Sequence, residues 1–228
     1  SDQLRPRWNA WKRILHIGVP PGGEFVTMFF YMAVIYWAIR DFGPDAQAGF
    51  GTGSRVMQAI FLPAMAISFA TAPVSGQNVG ARQNDRVRET YRWAVLTGGA
   101  IMLMLTLLCQ LQPEFLVSQF TDDSAVIVVG GEFLQIISWN FVAIGFIFTC
   151  SSLFQALGNT IPTLLASATR LVLFVIPAVL LSRWAGFELH HLWYLSVTTA
   201  ILQAIMNWGL LRIEFRRRLG ASKELRPS

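Results

Sequence analysis

Charge is scarce in this chain. Asp, Glu, Lys and Arg make up 14% of its 228 residues, against about 25% in a soluble domain. Cysteine is scarcer still. Cys109 and Cys150 both sit in apolar sequence, not in the loop-borne pattern of a disulfide framework, and read as small buried apolar residues. His190 and His191 are adjacent, so a shared metal is disfavoured, because neighbouring side chains point apart on a helix. His16 has no serine obviously partnered with it. No H-E-x-x-H, Walker A, G-x-S-x-G or C-x-x-C motif occurs, and an intramembrane hydrolase needs a nucleophile and a base within reach. These gaps argue against an enzyme, a metal site or a cofactor. No signal peptide is visible. The chain opens at Ser1 in polar sequence, and residues 1–13 read as a linker in a longer protein.

What the chain has in quantity is apolar sequence. It is 54% hydrophobic, with 17 Phe and 8 Trp and a mean hydropathy of +0.47. That composition predicts a membrane protein. The net charge of +5 and pI near 9.8 could suggest nucleic acid as a partner. The basic residues instead lie in short clusters between apolar runs, as in membrane topology signals, and form no nucleic-acid-binding stripe or motif.

A membrane-spanning helix needs about 20 mostly apolar residues. Six segments qualify, at about 14–39, 46–74, 93–111, 133–157, 161–182 and 192–211. The expectation is an all-α membrane protein: a six-helix bundle over residues 14–212, followed by a basic tail over 213–228. Lys and Arg favour the cytoplasmic side. Arg5, Arg7, Lys12 and Arg13 precede the first span, and Arg82, Arg86, Arg88 and Arg92 follow the second. Arg212, Arg216, Arg217, Arg218, Lys223 and Arg226 follow the sixth. With six spans, all of these fall on one side. Asp41, Asp45, Glu114, Asp122, Asp123 and Glu188 fall on the other, with Arg40 and Arg183. Both termini are therefore expected in the cytoplasm.

Proline and glycine interrupt the spans. Pro20, Pro21, Pro63, Pro73 and Pro177 fit kinked helices around a cavity, or ordinary kinks in a packed bundle. Gly18-x-x-x-Gly22 and Gly49-x-x-x-Gly53 match the close-packing spacing. Polar residues inside a bilayer are costly and usually meet a cavity or a partner. Glu24 follows Arg13 by 11 residues, about 16 Å at the helical rise, and shares a face with Met28 and Tyr31. It is either a proton- or cation-binding carboxyl or a protonated structural group bonded to the kinked backbone. Arg55 and Arg170 lie within the second and fifth spans, and either could pair with Glu24 or hold a helix interface. Gln135, Ser138 and Asn140, and Gln203 with Asn207 at i, i+4, suit interhelical hydrogen bonds or a polar cavity lining. Tyr31, Trp139 and Phe141 offer aromatic faces to organic cations, or face lipid.

The run from Arg55 through PAMAISFATAPVSGQNVGA and its following arginines resembles a signature of multidrug and toxin extrusion (MATE) transporters. In that family a span ends in a turn spelled here Gly76, Gln77, Asn78 and Gly80. GVPPGGEF (18–25), FTDDSAVIVVGGEFLQI (120–136), LFQALGNTIP (153–162) and RLVLFVIPAVLL (170–181) resemble further family segments, so the likeness covers most of residues 14–212. The resemblance implies one lobe, the C-terminal one, of a twelve-helix antiporter. Such a protein exports organic, often cationic, drugs or toxins in exchange for H⁺ or Na⁺. The implied partners are membrane lipid, a small organic substrate and a missing N-terminal six-helix lobe; the implied location is a bacterial inner membrane. Sodium-coupled members carry an Asp in the helix matching 133–157, which has no Asp or Glu here, Asn140 being the nearest polar residue. Proton coupling is therefore expected over sodium, with Glu24, Met28, Tyr31, Asn140, Gln203 and Asn207 as candidate substrate or ion ligands. A lipid-linked oligosaccharide flippase of the same fold and a non-transporting assembly subunit are the alternatives.

Overall fold

The computed structural model describes residues 8–184 and 186–219. Arg5, Arg7, Lys223 and Arg226 lie outside them. The described residues form eight α-helices. These are α1 (Trp8–Ile39), α2 (Pro44–Gly80), α3 (Asn84–Leu111), α4 (Pro113–Ser118), α5 (Ser124–Ile137), α6 (Phe141–Ala156), α7 (Ile161–Leu181) and α8 (Leu189–Leu219). A 3₁₀ turn over Ser138–Asn140 joins α5 and α6 into one span, so six helices are long and apolar enough to cross a membrane. Helix extends beyond the apolar runs at both ends of the chain, into residues read from the sequence as linker and tail. All five span prolines lie inside helices.

The α5–α6 span is the most enclosed of the six. It packs against α2, α3 and α8. Phe50 of α2, Phe133 of α5 and Trp193 of α8 meet there, with Phe50 stacked on Trp193 at 5.5 Å and Phe133 edge-on to both, at 5.2 and 4.9 Å. Each such ring pair adds about 0.5–1.5 kcal/mol beyond area burial. Helix α1 is attached differently. It lies along α7, and α7 lies along α8. It meets α2 mainly at its far end, where Tyr36 sits edge-on to Phe50. Apolar side chains such as Phe25, Phe29, Leu62, Phe69, Trp93, Leu111 and Trp139 remain exposed. That is expected of surfaces facing hydrocarbon, which is as apolar as leucine.

The two glycine pairs behave differently. A Cβ on Gly49 would come within 2.7 Å of Val129, and one on Gly53 within 2.5 Å of Phe133, so this pair lets α2 and α5 touch. Gly18 and Gly22 have nothing within 4 Å of such an atom. The Gly76–Gly80 segment is also placed differently from its reading as a turn, because α2 runs through it to Gly80. The reversal comes one step later, where Gln83 N–H donates to Asn78 O at 2.9 Å and Arg82 N–H to Val79 O at 3.1 Å. This is the Schellman pairing, with Arg82 in the left-handed position at φ 57°. The end of α6 repeats it: Asn159 N–H donates to Phe154 O at 3.0 Å, with Gly158 at φ 72°.

Gly53→Ala is expected to lower the thermal midpoint of the protein in detergent, by overpacking worth about 1–3 kcal/mol. Gly98→Ala, whose new methyl would meet its nearest neighbour at 3.8 Å, is expected to leave the midpoint unchanged or raise it. Equal midpoints for the two variants would refute the close-packing role of Gly53.

Candidate functional site

One group of polar residues gathers where α1, α7 and α8 meet. α1 and α7 run side by side in the same direction, so their residues pair in register. At the end nearest the basic clusters, Thr160 Oγ1 donates to Ile17 O at 3.1 Å. One turn further, Glu24 meets the Thr163 side chain, while a Cβ on Gly23 would come within 2.9 Å of Leu164. Two turns beyond Glu24, the Arg170 guanidinium lies over the Tyr31 ring, 4.9 Å from its centroid. Tyr31 also packs on Phe174 at 4.3 Å, and its hydroxyl is 2.6 Å from Ser196 Oγ of α8. Arg170 Nη1 donates to Gln203 Oε1 at 3.3 Å, and Gln203 Nε2 donates to Ser167 Oγ at 3.0 Å.

Glu24, Tyr31, Arg170 and Gln203 are thus brought together in one seam. Neither arginine pairs with Glu24, contrary to one sequence expectation: Arg170 is taken up by Tyr31 and Gln203, and Arg55 is exposed on α2. Glu24 is half-buried, and its Oε1 is enclosed with no hydrogen-bond partner. Met28 turns outward at 49% exposure, 60° around the helix from Tyr31 at the helical pitch of about 100° per residue. Asn207 is fully buried on α8, and neither its Oδ1 nor its Nδ2 has a partner.

Asn140 lies apart from the seam, at the 3₁₀ break. It is buried, and its Oδ1 is unpartnered. The break frees carbonyls that a helix would occupy, and α3 supplies their donors. Gln110 Nε2 donates to Gln135 O at 2.6 Å and to Ser138 Oγ at 2.8 Å, and Thr106 Oγ1 lies 3.1 Å from Ser138 O. Trp139 is exposed, whereas Phe141 is buried against Phe61. The helix of this span begins at Ser124, so it includes Glu132, exposed on α5. The apolar run marked the span as starting at Phe133 and so left this acid out.

Sequence reasoning missed Thr163, Ser167 and Ser196, because isolated hydroxyl residues in apolar helices carry no spacing signal. It also missed Glu214, in the last turns of α8 and 5% exposed. Arg218 accounts for that burial. Its Nε donates to Glu214 Oε1 at 2.6 Å, and its Nη1 to Leu157 O at 2.6 Å, placing a cation at the C-terminal pole of α6, where the helix dipole favours it.

Residues 20–180 match the MatE family model. The chain belongs to the MatE family. A probable multidrug resistance protein of Bacillus subtilis, YpnP, is 26% identical over 79% of this chain and 41% of its own. The FAD transporter of Shewanella oneidensis is 24% identical over 80% of this chain and 40% of its own. An outward-facing multidrug resistance MATE transporter structure superposes with a TM-score of 0.86 at 23% identity, over 96% of this chain and 49% of that one. A transporter from Pyrococcus furiosus, whose structure is described by a binding pocket of reversed polarity, gives 0.85 at 23%, over 97% and 49%. The MatE chain thus has the fold of about half of each solved transporter and spans about two-fifths of the length of the two sequence relatives. These relatives are transporters, not enzymes.

Arg218→Ala is expected to destabilise the protein by about 1–2 kcal/mol, less than a fully buried pair because the arginine is partly solvated. Adding Glu214→Gln should recover part of that loss, since no buried charge is then left alone. Additive losses in thermal unfolding of the single and double variants would show that the two side chains do not act together.

Proposed function

We propose that this chain is the C-terminal bundle of a secondary antiporter that exports organic, often cationic, drugs or toxins in exchange for protons. It works with an N-terminal six-helix lobe in a bacterial inner membrane, with its basic end toward the cytoplasm. The observation that carries the reading is Glu24. It is a carboxyl in the α1–α7 seam, with an enclosed oxygen that has no partner and no cation paired to it. α7 contains no acid, and the only acid of α8 is Glu214, paired with Arg218. A single carboxyl of this kind suits a proton better than a sodium ion, which is held by several oxygens.

Exchange then follows from linkage. A ligand shifts a two-state protein only by its differential affinity for the two states, and a few kcal/mol suffices to reverse a population. Protonation of Glu24 removes a charge from the seam and changes how α1 packs along α7. Helix α1 can respond because Pro20 and Pro21 interrupt its hydrogen-bond ladder and because its contact with α2 is slight beside its contact with α7.

The full-length protein in proteoliposomes is expected to move rhodamine 123 when a pH gradient is imposed. Glu24→Gln should abolish that dependence, and Glu24→Asp should retain part of it. A wild-type rate in Glu24→Gln would remove Glu24 from the mechanism, and transport driven by a sodium gradient alone would replace the proton.

A further inference from the structure

The arginines at the basic end of the bundle are unequally placed. Arg218 is taken up by Glu214 and Leu157 O. Arg88 and Arg92 of α3 and Arg212 and Arg216 of α8 are exposed, and among the described residues none of the four forms an ion pair. α3 and α8 meet at this end, with Tyr91 edge-on to Phe215 at 5.6 Å. Both rings pack on a buried cluster that includes Val87, Leu153, Phe154 and Leu211.

Helical geometry sorts the charges around that contact. At about 100° per residue, Val87 and Leu211 mark its inward side, and Arg88 and Arg212 its outward side. α3 and α8 are the third and sixth spans and run in opposite directions, so equal offsets put the two arginines on the same side. Arg92 follows Arg88, and Arg216 follows Arg212, by one helical turn. Asp85 and Glu89, the acids in the same turns of α3, lie about 120° and 160° around the helix from Tyr91. The Arg212 guanidinium lies over the Trp208 ring, 4.1 Å from its centroid, and near enough to the Tyr91 hydroxyl for its charge to act on it. Toward the bilayer centre the same face of α8 turns apolar, through the exposed side chains of Trp208, Ile205 and Ile201.

We propose that Arg88, Arg92, Arg212 and Arg216 form a binding site for an anionic phospholipid. The lipid phosphate sits over the Tyr91–Phe215 contact, and an acyl chain runs along Trp208, Ile205 and Ile201. Guanidinium groups suit phosphate oxygens by charge and by their paired N–H donors, and basic pockets between spanning helices are suited to anionic headgroups. A lipid fits better than a free phosphate because the arginine face continues into an apolar one. Once seated, it bridges α3 and α8, which make little direct contact otherwise. The site requires only that the bundle span a bilayer and is independent of the exchange reaction proposed above.

Binding to the purified full-length protein is read by native mass spectrometry during titration with tetraoleoyl cardiolipin, with dioleoylphosphatidylcholine as the zwitterionic control. The wild type should bind one cardiolipin about tenfold or more tighter than phosphatidylcholine. Arg88→Gln with Arg212→Gln should weaken cardiolipin about twentyfold, at about fivefold per arginine, and leave phosphatidylcholine within about twofold. Arg88→Lys with Arg212→Lys, which keeps both charges and guards against a folding defect, should recover part of the affinity. Arg86→Gln with Arg217→Gln removes two charges from the same end but from other faces of α3 and α8, and should change cardiolipin binding by no more than about threefold. Equal weakening by the two glutamine pairs would reduce the site to diffuse attraction by a basic surface and overturn it. Equal wild-type affinity for the two lipids would also overturn it, as would displacement of cardiolipin by an equal concentration of inorganic phosphate. Lipid binding is read without transport, so each of these failures leaves the exchange reaction standing.

Discussion

A bilayer interior offers no water to a polar group, and this constraint shapes the bundle from end to end. Each backbone or side-chain polar group must find its partner within the protein. The 3₁₀ break between α5 and α6 is tolerable because Gln110 and Thr106 reach it from α3. The end of α6 is closed by Gly158 and by Arg218, which reaches across from α8. The exceptions stand out against that background: Glu24 Oε1, the Ser54 and Ser75 hydroxyls, Asn140 Oδ1, the Asn207 amide and Arg170 Nε are enclosed without partners. Glu24, Arg170 and Asn207 belong to α1, α7 and α8, the helices at which the candidate site is built.

The packing divides accordingly. α2, α3, α5, α6 and α8 surround a firm centre built from Phe50, Phe133 and Trp193 and from glycines that allow close approach. α1 joins this centre mainly through α7 and at its Tyr36 end. Its proline pair lies well away from that attachment. A helix that lies along one neighbour, is interrupted at a proline pair and carries a carboxyl with one enclosed, partnerless oxygen has the parts of an ion-sensitive arm. Small local changes become large ones when packed elements have discrete arrangements.

The number of spans, the helical class and the family were legible in the sequence, because membrane thickness sets a length that composition must meet. Positions along the spans were less so. The last turn of α2 was read as a loop because glycine commonly ends helices, yet the left-handed residue is Arg82, two positions beyond Gly80. Glu132 fell one residue outside the apolar run while lying well inside the helix. At the site, Glu24, Tyr31, Arg170 and Gln203 were each visible as polar or aromatic residues at membrane depth. Their grouping was not, because it depends on the parallel register of α1 with α7, a contact between segments more than a hundred residues apart. Thr163 and Ser196 became recognisable only through that contact.

The account stands on Glu24 exchanging a proton as substrate binds. The direct measurement is the pH change on adding saturating rhodamine 123 to the purified full-length protein in weakly buffered detergent solution. Competition between proton and substrate predicts release of about one proton per dye bound by the wild type and none by Glu24→Gln. Equal release from both proteins, or none from the wild type while dye binds, would contradict it.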